Sequence, residues 1–266
     1  MTRTPASSLI AVDVGNTRVK LGEFSLPLSG DLPLPLRTGA FGPEWTDVDL
    51  DTWLAADAQG YTWAISSVNR PSSDRLLSWL AARGARQVRV LGHGDLPVKI
   101  EVLTPAEVGL DRLVDVVAAN RLRATGEPAI VIDHGSAITV NLISAAGAFV
   151  GGAILPGVRL SARALHDFTD KLPYVEVREV PTLRGIDTES SICFGLYWGA
   201  VGAAREVVAR LTPESPRAAI FITGGGGADL AALLGESSDR PTLYVQHLTL
   251  CGIACSAAIL AAKEAK

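Results

Sequence analysis

Asp13, Gly15, Asn16, Thr17 and Lys20 bring an acid, a flexible backbone position, an amide, a hydroxyl and an amine into the short stretch AVDVGNTRVKLGEF at 11–24. Glycine lets a ligand approach the backbone closely, and the N–H groups of a tight turn converge on an anion. Lys20 can reach a phosphate oxygen from the strand that follows. An acid repels phosphate, so Asp13 belongs in such a site only with a divalent ion between carboxylate and phosphate. The set Asp13, Val14, Gly15, Asn16, Thr17, Arg18, Val19 and Lys20 therefore suits a nucleoside triphosphate bound with a metal ion.

The stretch IVIDHGSAITVNLIS at 130–144 repeats IAVDVGNTRVKLGEF at 10–24 with a constant offset, which places Asp133 and Ser136 at a second tip. Each copy reads as strand, tight turn at Gly15 or Gly135, strand. One copy alone is equally well an ordinary hairpin; two imply related lobes with their tips facing one cleft. FITGGGGADLAALL at 221–234 follows a strand and opens a helix, so Gly224 and Gly225 can let a base or ribose lie on the backbone. Glycine runs are also plain strand-to-helix turns. His134 points away from Asp133 on its strand and reads as a packed histidine.

LTPAEVGLDRLVDVVAANRL supplies an acid for the chemistry. Thr104 as N-cap, Pro105 at the first helical position and Glu107 as the capping-box partner predict a helix that begins there. Gly109, Leu110, Asp111 and Arg112 then fall one to two turns inside it, where glycine serves close approach better than helix stability. The positive end of the helix favours an ionised Asp111, the form that accepts a proton from an alcohol. The other reading is a solvated or N-terminal structural acid, and Asp115, one turn on, is read as an acid of that kind. Arg112 can hold a carboxylate with its planar fork.

The elements that must position these groups alternate. Strand-length apolar runs (SLIAVDV, TWAISSV, AIVIDHG, AITVNLI, AAIFITGG) are separated by helical patterns such as SSDRLLSWLAARG and SSICFGLYWGAVGAAREVVARL, the pattern of an α/β protein. Segment 25–50 carries Pro and Gly with little periodicity and reads as strand edges and loops. Gly195, Gly199, Ala200, Gly202 and Ala203 would let another helix approach closely. At 266 residues and 48% hydrophobic, the chain can bury a substantial core. Its formal charge of −4, without a basic run, disfavours a nucleic-acid partner. Three cysteines without metal-ligand spacing fit a reducing compartment and read as small buried residues. The N-terminus reaches Asp13 after a very short apolar run, and no segment holds eighteen apolar residues free of charge, so a soluble, cytoplasmic protein is expected.

DVGNTRVK, VGLDRLVD, DHGSAITV, GGAILPG, GIDTESSICFG and TGGGG stand in the order and approximate spacing of the motifs of type III pantothenate kinases, and the resemblance runs from about residue 9 to about 255. It implies two tandem ribonuclease H-like lobes of the actin-like ATPase kind, 1–117 and 118–266, with the active site in the cleft between them. It also implies a homodimer and ATP-dependent phosphorylation of pantothenate to 4′-phosphopantothenate, the first step of coenzyme A synthesis. By motif position, Asp13 to Lys20 line the triphosphate with Asp13 near Mg²⁺, and Ser136, Gly224 and Gly225 touch ATP. Asp111 is the proton acceptor. Val102, Gly109, Leu110, Arg112 and Thr188 border pantothenate, and Asp133 holds a monovalent cation, K⁺ or NH₄⁺. Leu110, Ser136 and Val102 stand where the family pattern has Ala, Thr and an aromatic residue. The alternative is an accessory protein of the same fold that binds nucleotide or pantothenate without turnover. Loss of activity usually erodes the acids first, and Asp13, Asp111 and Asp133 are all present.

Overall fold

Alternating apolar runs generate two sheets with the same topology. In this computed structural model, residues 8–177, 184–212, 218–236 and 240–265 are described; the first part of the N-terminal segment discussed above, 1–7, lies outside them. The first sheet comprises β1 (Ser8–Val14), β2 (Val19–Ser25), β3 (Arg37–Phe41), β4 (Thr62–Ser67) and β5 (Gln87–Val90), in the order β3-β2-β1-β4-β5. β1 pairs antiparallel with β2 and parallel with β4. The second sheet comprises β6 (Ala129–His134), β7 (Ala137–Ile143), β8 (Phe149–Pro156), β9 (Ala219–Thr223) and β10 (Thr242–Tyr244), in the order β10-β9-β6-β7-β8. Replacing β1 to β5 by β6 to β10 turns the first order into the second, so the sequence repeat is a repeat of architecture.

Seven α-helices are described: α1 (Asp47–Leu54), α2 (Arg70–Ala82), α3 (Leu110–Ala119), α4 (Val158–Asp167), α5 (Thr188–Leu211), α6 (Gly227–Glu236) and α7 (Leu248–Glu264). Two of them change the reading of the sequence. α1 falls where strand edges and loops are expected; a reciprocal Thr46–Asp49 capping box starts it, and it buries Leu50 and Leu54. The helix predicted from Thr104 is only a 3-10 turn over Pro105–Glu107, and Thr104 makes no side-chain cap. Val108 then turns extended, at φ −69° and ψ 128°, and Gly109 caps a fresh helix. Asp111 therefore lies in the first turn of α3.

The chain divides into two compact units, 1–122 with 247–266 and 123–246. This differs from the expected division at 117/118, because α7 returns to the first unit. α7 is apolar on all sides and buries each residue from Leu248 to Ser256. It packs on β1 and α3, and a Cβ on Gly22 of β2 would lie 3.2 Å from Leu250 of α7. The opposite face of this sheet carries Ile10, Val12, Val14, Trp63 and Ile65 into a core with α1 and α2. In the second unit Ile130, Ile132, Ile138, Val140, Ile220 and Ile222 form the core with α5 and α6.

Candidate active site

In the first unit the site grows from the ends of β1 and β4. β1 runs apolar to Asp13, the turn closes with Gly15 N–H donating to the Arg18 carbonyl at 3.0 Å, and β2 returns Lys20 opposite Asp13. The Lys20 Nζ lies 3.3 Å from Asp13 Oδ2. Asp13 is only 5% exposed. Burial raises the proton affinity of its carboxyl; Lys20 opposes that rise, and the nearby charge of Asp111 reinforces it. Asn16 and Arg18 are exposed at the tip and Thr17 is half-buried. Val14 and Val19 send their side chains into the core, so only their backbone can face a ligand.

Asp111 joins this cluster from α3. Its Oδ1 accepts the Arg112 N–H at 2.8 Å, and a Cβ on Gly109 would lie 2.5 Å from that oxygen. Gly109 is thus the cap whose missing side chain makes room for the carboxylate. Leu110 and Arg112 are half-buried beside it, and burial lowers the proton affinity of the Arg112 guanidinium against the opposing pull of Asp111. Of the two readings of Asp115, solvated or structural, burial removes the first: it is 1% exposed. Its side chain faces inward because α3 packs closely against α7, where a Cβ on Gly252 would overlap the Val114 carbonyl. On α7 the Cys251 thiol is pushed up to about 12, by burial first, then by Cys255 and, more weakly, by Asp115. Cys251 and Cys255 are buried as expected, while Cys193 is half-buried. Val102 is half-buried in the segment before the 3-10 turn.

A divalent ion suits the first cluster. Two carboxylates lie close enough to repel, one of them buried, beside a turn with exposed residues. Among the described residues no three His, Cys, Asp or Glu side chains group as a metal site. Mg²⁺ does not require one, since it commonly takes one or two carboxylates together with substrate phosphates and water.

The second unit builds its own cradle around the turn at Gly135 and Ser136. Gly157 N–H donates to the Ser136 carbonyl at 3.0 Å, and a Cβ there would lie 2.5 Å from the Gly135 and Ser136 carbonyls. Gly224, at φ +92°, brings its backbone so close that a Cβ would lie 2.5 Å from Asp133 Oδ1 and from the His134 carbonyl. Gly224 and the exposed Gly225 lead from β9 into α6. Asp133 pairs with Thr139, whereas Asp13 pairs with Lys20, so the second hairpin is one residue tighter and offers no lysine at that place. Thr188 is exposed at the start of α5 and, with Asp187, lines an open depression of this unit. The structure thus gathers Asp13, Lys20, Asp111 and Arg112 in one unit, and Asp133, Ser136 and Gly224 in the other.

His134 is packed, as its strand position implies. Its Nδ1 is buried against Gly226 and has no hydrogen-bond partner among the described residues. Burial, the largest influence, holds its pKa below the ordinary 6.5; its own backbone and the charge of Asp229 oppose that shift. The unfolded chain then binds a proton that the folded chain refuses, so stability present above pH 6.5 is lost as pH falls through the folded value. His134→Phe is expected to flatten the fall in melting midpoint below pH 6.5, read by thermal denaturation across pH. His247 keeps a residual slope, because burial and then Lys20 depress it in the same direction.

Two residues near Asp13 carry no motif. His247 caps α7 in the left-handed region at φ 62°, within electrostatic reach of Lys20. A non-glycine residue there is uncommon and marks a constrained position. Ser66, the register partner of Asp13 on β4, is 1% exposed. Alternation along TWAISS gives only a strand, and a serine near a strand end carries no distinguishing signal.

Comparison with known proteins adds the family. The family described as type III pantothenate kinase matches residues 9–210. A type III pantothenate kinase of Solibacter usitatus (strain Ellin6076) is 32% identical over 254 residues, covering 92% of this chain and 94% of that protein. One from Ruegeria sp. (strain TM1040) is 38% identical over 264 residues, covering 92% and 94%. Among solved structures, the activator of the 2-hydroxyisocaproyl-CoA dehydratase from Clostridium difficile with bound ADPNP superposes with a TM-score of 0.52 at 11% identity, covering 97% of this chain and 96% of that one. At that identity the likeness concerns the fold alone.

Proposed function

The chain belongs to the type III pantothenate kinases, which phosphorylate pantothenate with ATP at the entry to coenzyme A synthesis, and we propose that Asp111 is its proton acceptor. The observation that carries the assignment of roles is the buried Asp13, paired with Lys20 and within electrostatic reach of Asp111. Phosphate transfer to an alcohol needs positioning and charge neutralisation above all. The turn from Val14 to Arg18 offers backbone N–H groups to the triphosphate, Lys20 carries its positive charge toward the phosphates, and Asp111 takes the proton of the pantothenate hydroxyl. Arg112 holds the pantothenate carboxylate, with Gly109, Leu110 and Val102 beside it; Thr188 is assigned to pantothenate by its motif position. Asp13 is the carboxylate beside which Mg²⁺ would be held; bound with the nucleotide, the ion supplies charge neutralisation.

In the second unit, Ser136, Gly224 and Gly225 serve ATP. Asp133 holds the monovalent cation, K⁺ or NH₄⁺, at a turn already rich in backbone carbonyls. The working enzyme is a cytoplasmic homodimer. α5 supports that reading: Ile192, Val201, Ala204 and Val208 are buried within the unit, whereas Cβ atoms on Gly195, Gly199 and Gly202 would meet nothing within 4 Å. By length and composition α5 would also pass for a membrane span, and little of it is buried within the unit. Its Asp187 cap and its packing on β7 and α6 favour a second copy as the occupant of the open side.

The purified chain with Mg²⁺-ATP and pantothenate is expected to form phosphopantothenate, faster with K⁺ or NH₄⁺ than with Na⁺. Product measured by mass spectrometry checks both statements. No product in any salt while ATP binds would overturn pantothenate as the acceptor, and equal rates in all salts would remove the cation from Asp133.

A further inference from the structure

Ser66 Oγ is buried and has no hydrogen-bond partner among the described residues. Such a hydroxyl destabilises the fold that contains it. Alanine already occupies the neighbouring position on the same face, Ala64, so the strand accommodates a methyl group there. The location of Ser66 suggests why a hydroxyl is kept. Direct partners in a parallel ladder send their side chains to the same face, and Ser66 is the partner of Asp13. The buried core on the other face confirms the alternation, since it takes Val12, Val14 and Ile65. Ser66 therefore shares the face of Asp13 and Lys20, at the carboxyl ends of β1 and β4, where open α/β sheets place their ligands.

We propose that Ser66 is a positioning residue for phosphate transfer, its hydroxyl completing its hydrogen bonding with water of the divalent ion's hydration shell when Mg²⁺-ATP occupies the Asp13 side of the site. The proposal rests on the nucleotide-site reading of Asp13. A hydroxyl is suited to this contact because it can accept from a water polarised by the ion and donate in turn. The unliganded protein then carries an unsatisfied group that only the loaded site satisfies, as functional sites commonly do.

The test is thermal denaturation of the full chain, unliganded and with ATP over a Mg²⁺ titration, without pantothenate. Ser66→Ala is expected to melt at or above the wild-type midpoint when unliganded. It should also need roughly ten-fold more Mg²⁺ for half of the ATP-dependent stabilisation, the loss of one hydrogen bond to a charged group. Ser66→Thr, which keeps the hydroxyl, should recover the wild-type Mg²⁺ requirement. Ser66→Cys, similar in outline but a weak hydrogen-bonding group, should behave as Ser66→Ala and serves in its place if alanine prevents folding. An unchanged Mg²⁺ requirement in Ser66→Ala or Ser66→Cys overturns the proposal, as does a wild type that ATP and Mg²⁺ do not stabilise. A separate pantothenate assay keeps the two readings apart. Wild type that forms no product yet shows the Ser66-dependent Mg²⁺ shift overturns pantothenate and upholds Ser66; product with no shift in requirement overturns Ser66 alone.

Discussion

Asp111→Asn is expected to reduce kcat for pantothenate phosphorylation by about 10²- to 10⁴-fold, the usual contribution of a positioned general base. Asparagine keeps the shape of the side chain and an oxygen able to accept the Arg112 N–H, so the start of α3 should persist. The loss would therefore be chemical, not structural. The KM for ATP is expected to hold or fall, because the substitution removes the like charge that presses on buried Asp13. Steady-state kinetics with each substrate varied, together with an unchanged melting midpoint, would check this. A kcat within a few-fold of wild type would remove Asp111 from proton transfer.

Gly252→Ala is expected to be the most damaging small substitution in the first unit. The added Cβ would overlap the Val114 carbonyl, which is backbone and cannot rotate away. α3 and α7 would have to separate, and both are buried along the contact. Overpacking of this kind costs about 3 kcal/mol at its upper end, or a fall of roughly 6–10 °C in melting midpoint for a chain of this length. Separation of the helices also moves Asp111 away from Asp13, so activity should fall below the melting temperature as well. Calorimetry and an assay at 25 °C read the two effects separately; an unchanged midpoint would show that the helices can part without cost.

The repeated hairpins were legible because two signals coincide in each: alternation along a strand and a glycine at the turn. The duplicated strand order then follows from duplicated sequence. The position of Asp111 was only half legible. Thr104, Pro105 and Glu107 spell a helix start, but they describe a single 3-10 turn, and the true cap is Gly109, which has no side chain with which to signal. α1 hid for a related reason: it is short, and its mark is the Thr46–Asp49 box rather than a periodic face. The burial of Asp115 was not legible because it depends on α7, a helix distant in sequence whose apolar residues run all round and name no partner. Ser66 and His247 belong to the same class, since what distinguishes them is a neighbour across the fold.

The return of α7 to the first sheet has a consequence for synthesis on the ribosome. Residues 123–246 lie between the two stretches that make up the first unit. The second unit can therefore emerge and close on itself while the first still lacks its last helix. Until 247–265 are translated, the face of β1 that α7 covers, with Leu9 and Ala11 completely or nearly completely buried in the finished fold, has no lid and stays open to solvent. The turn at Gly15 is thus made well before the sheet that supports it is finished. A nascent chain stalled before residue 247 would carry a folded second unit beside a first unit with an uncovered apolar sheet, the species on which a holding chaperone would act.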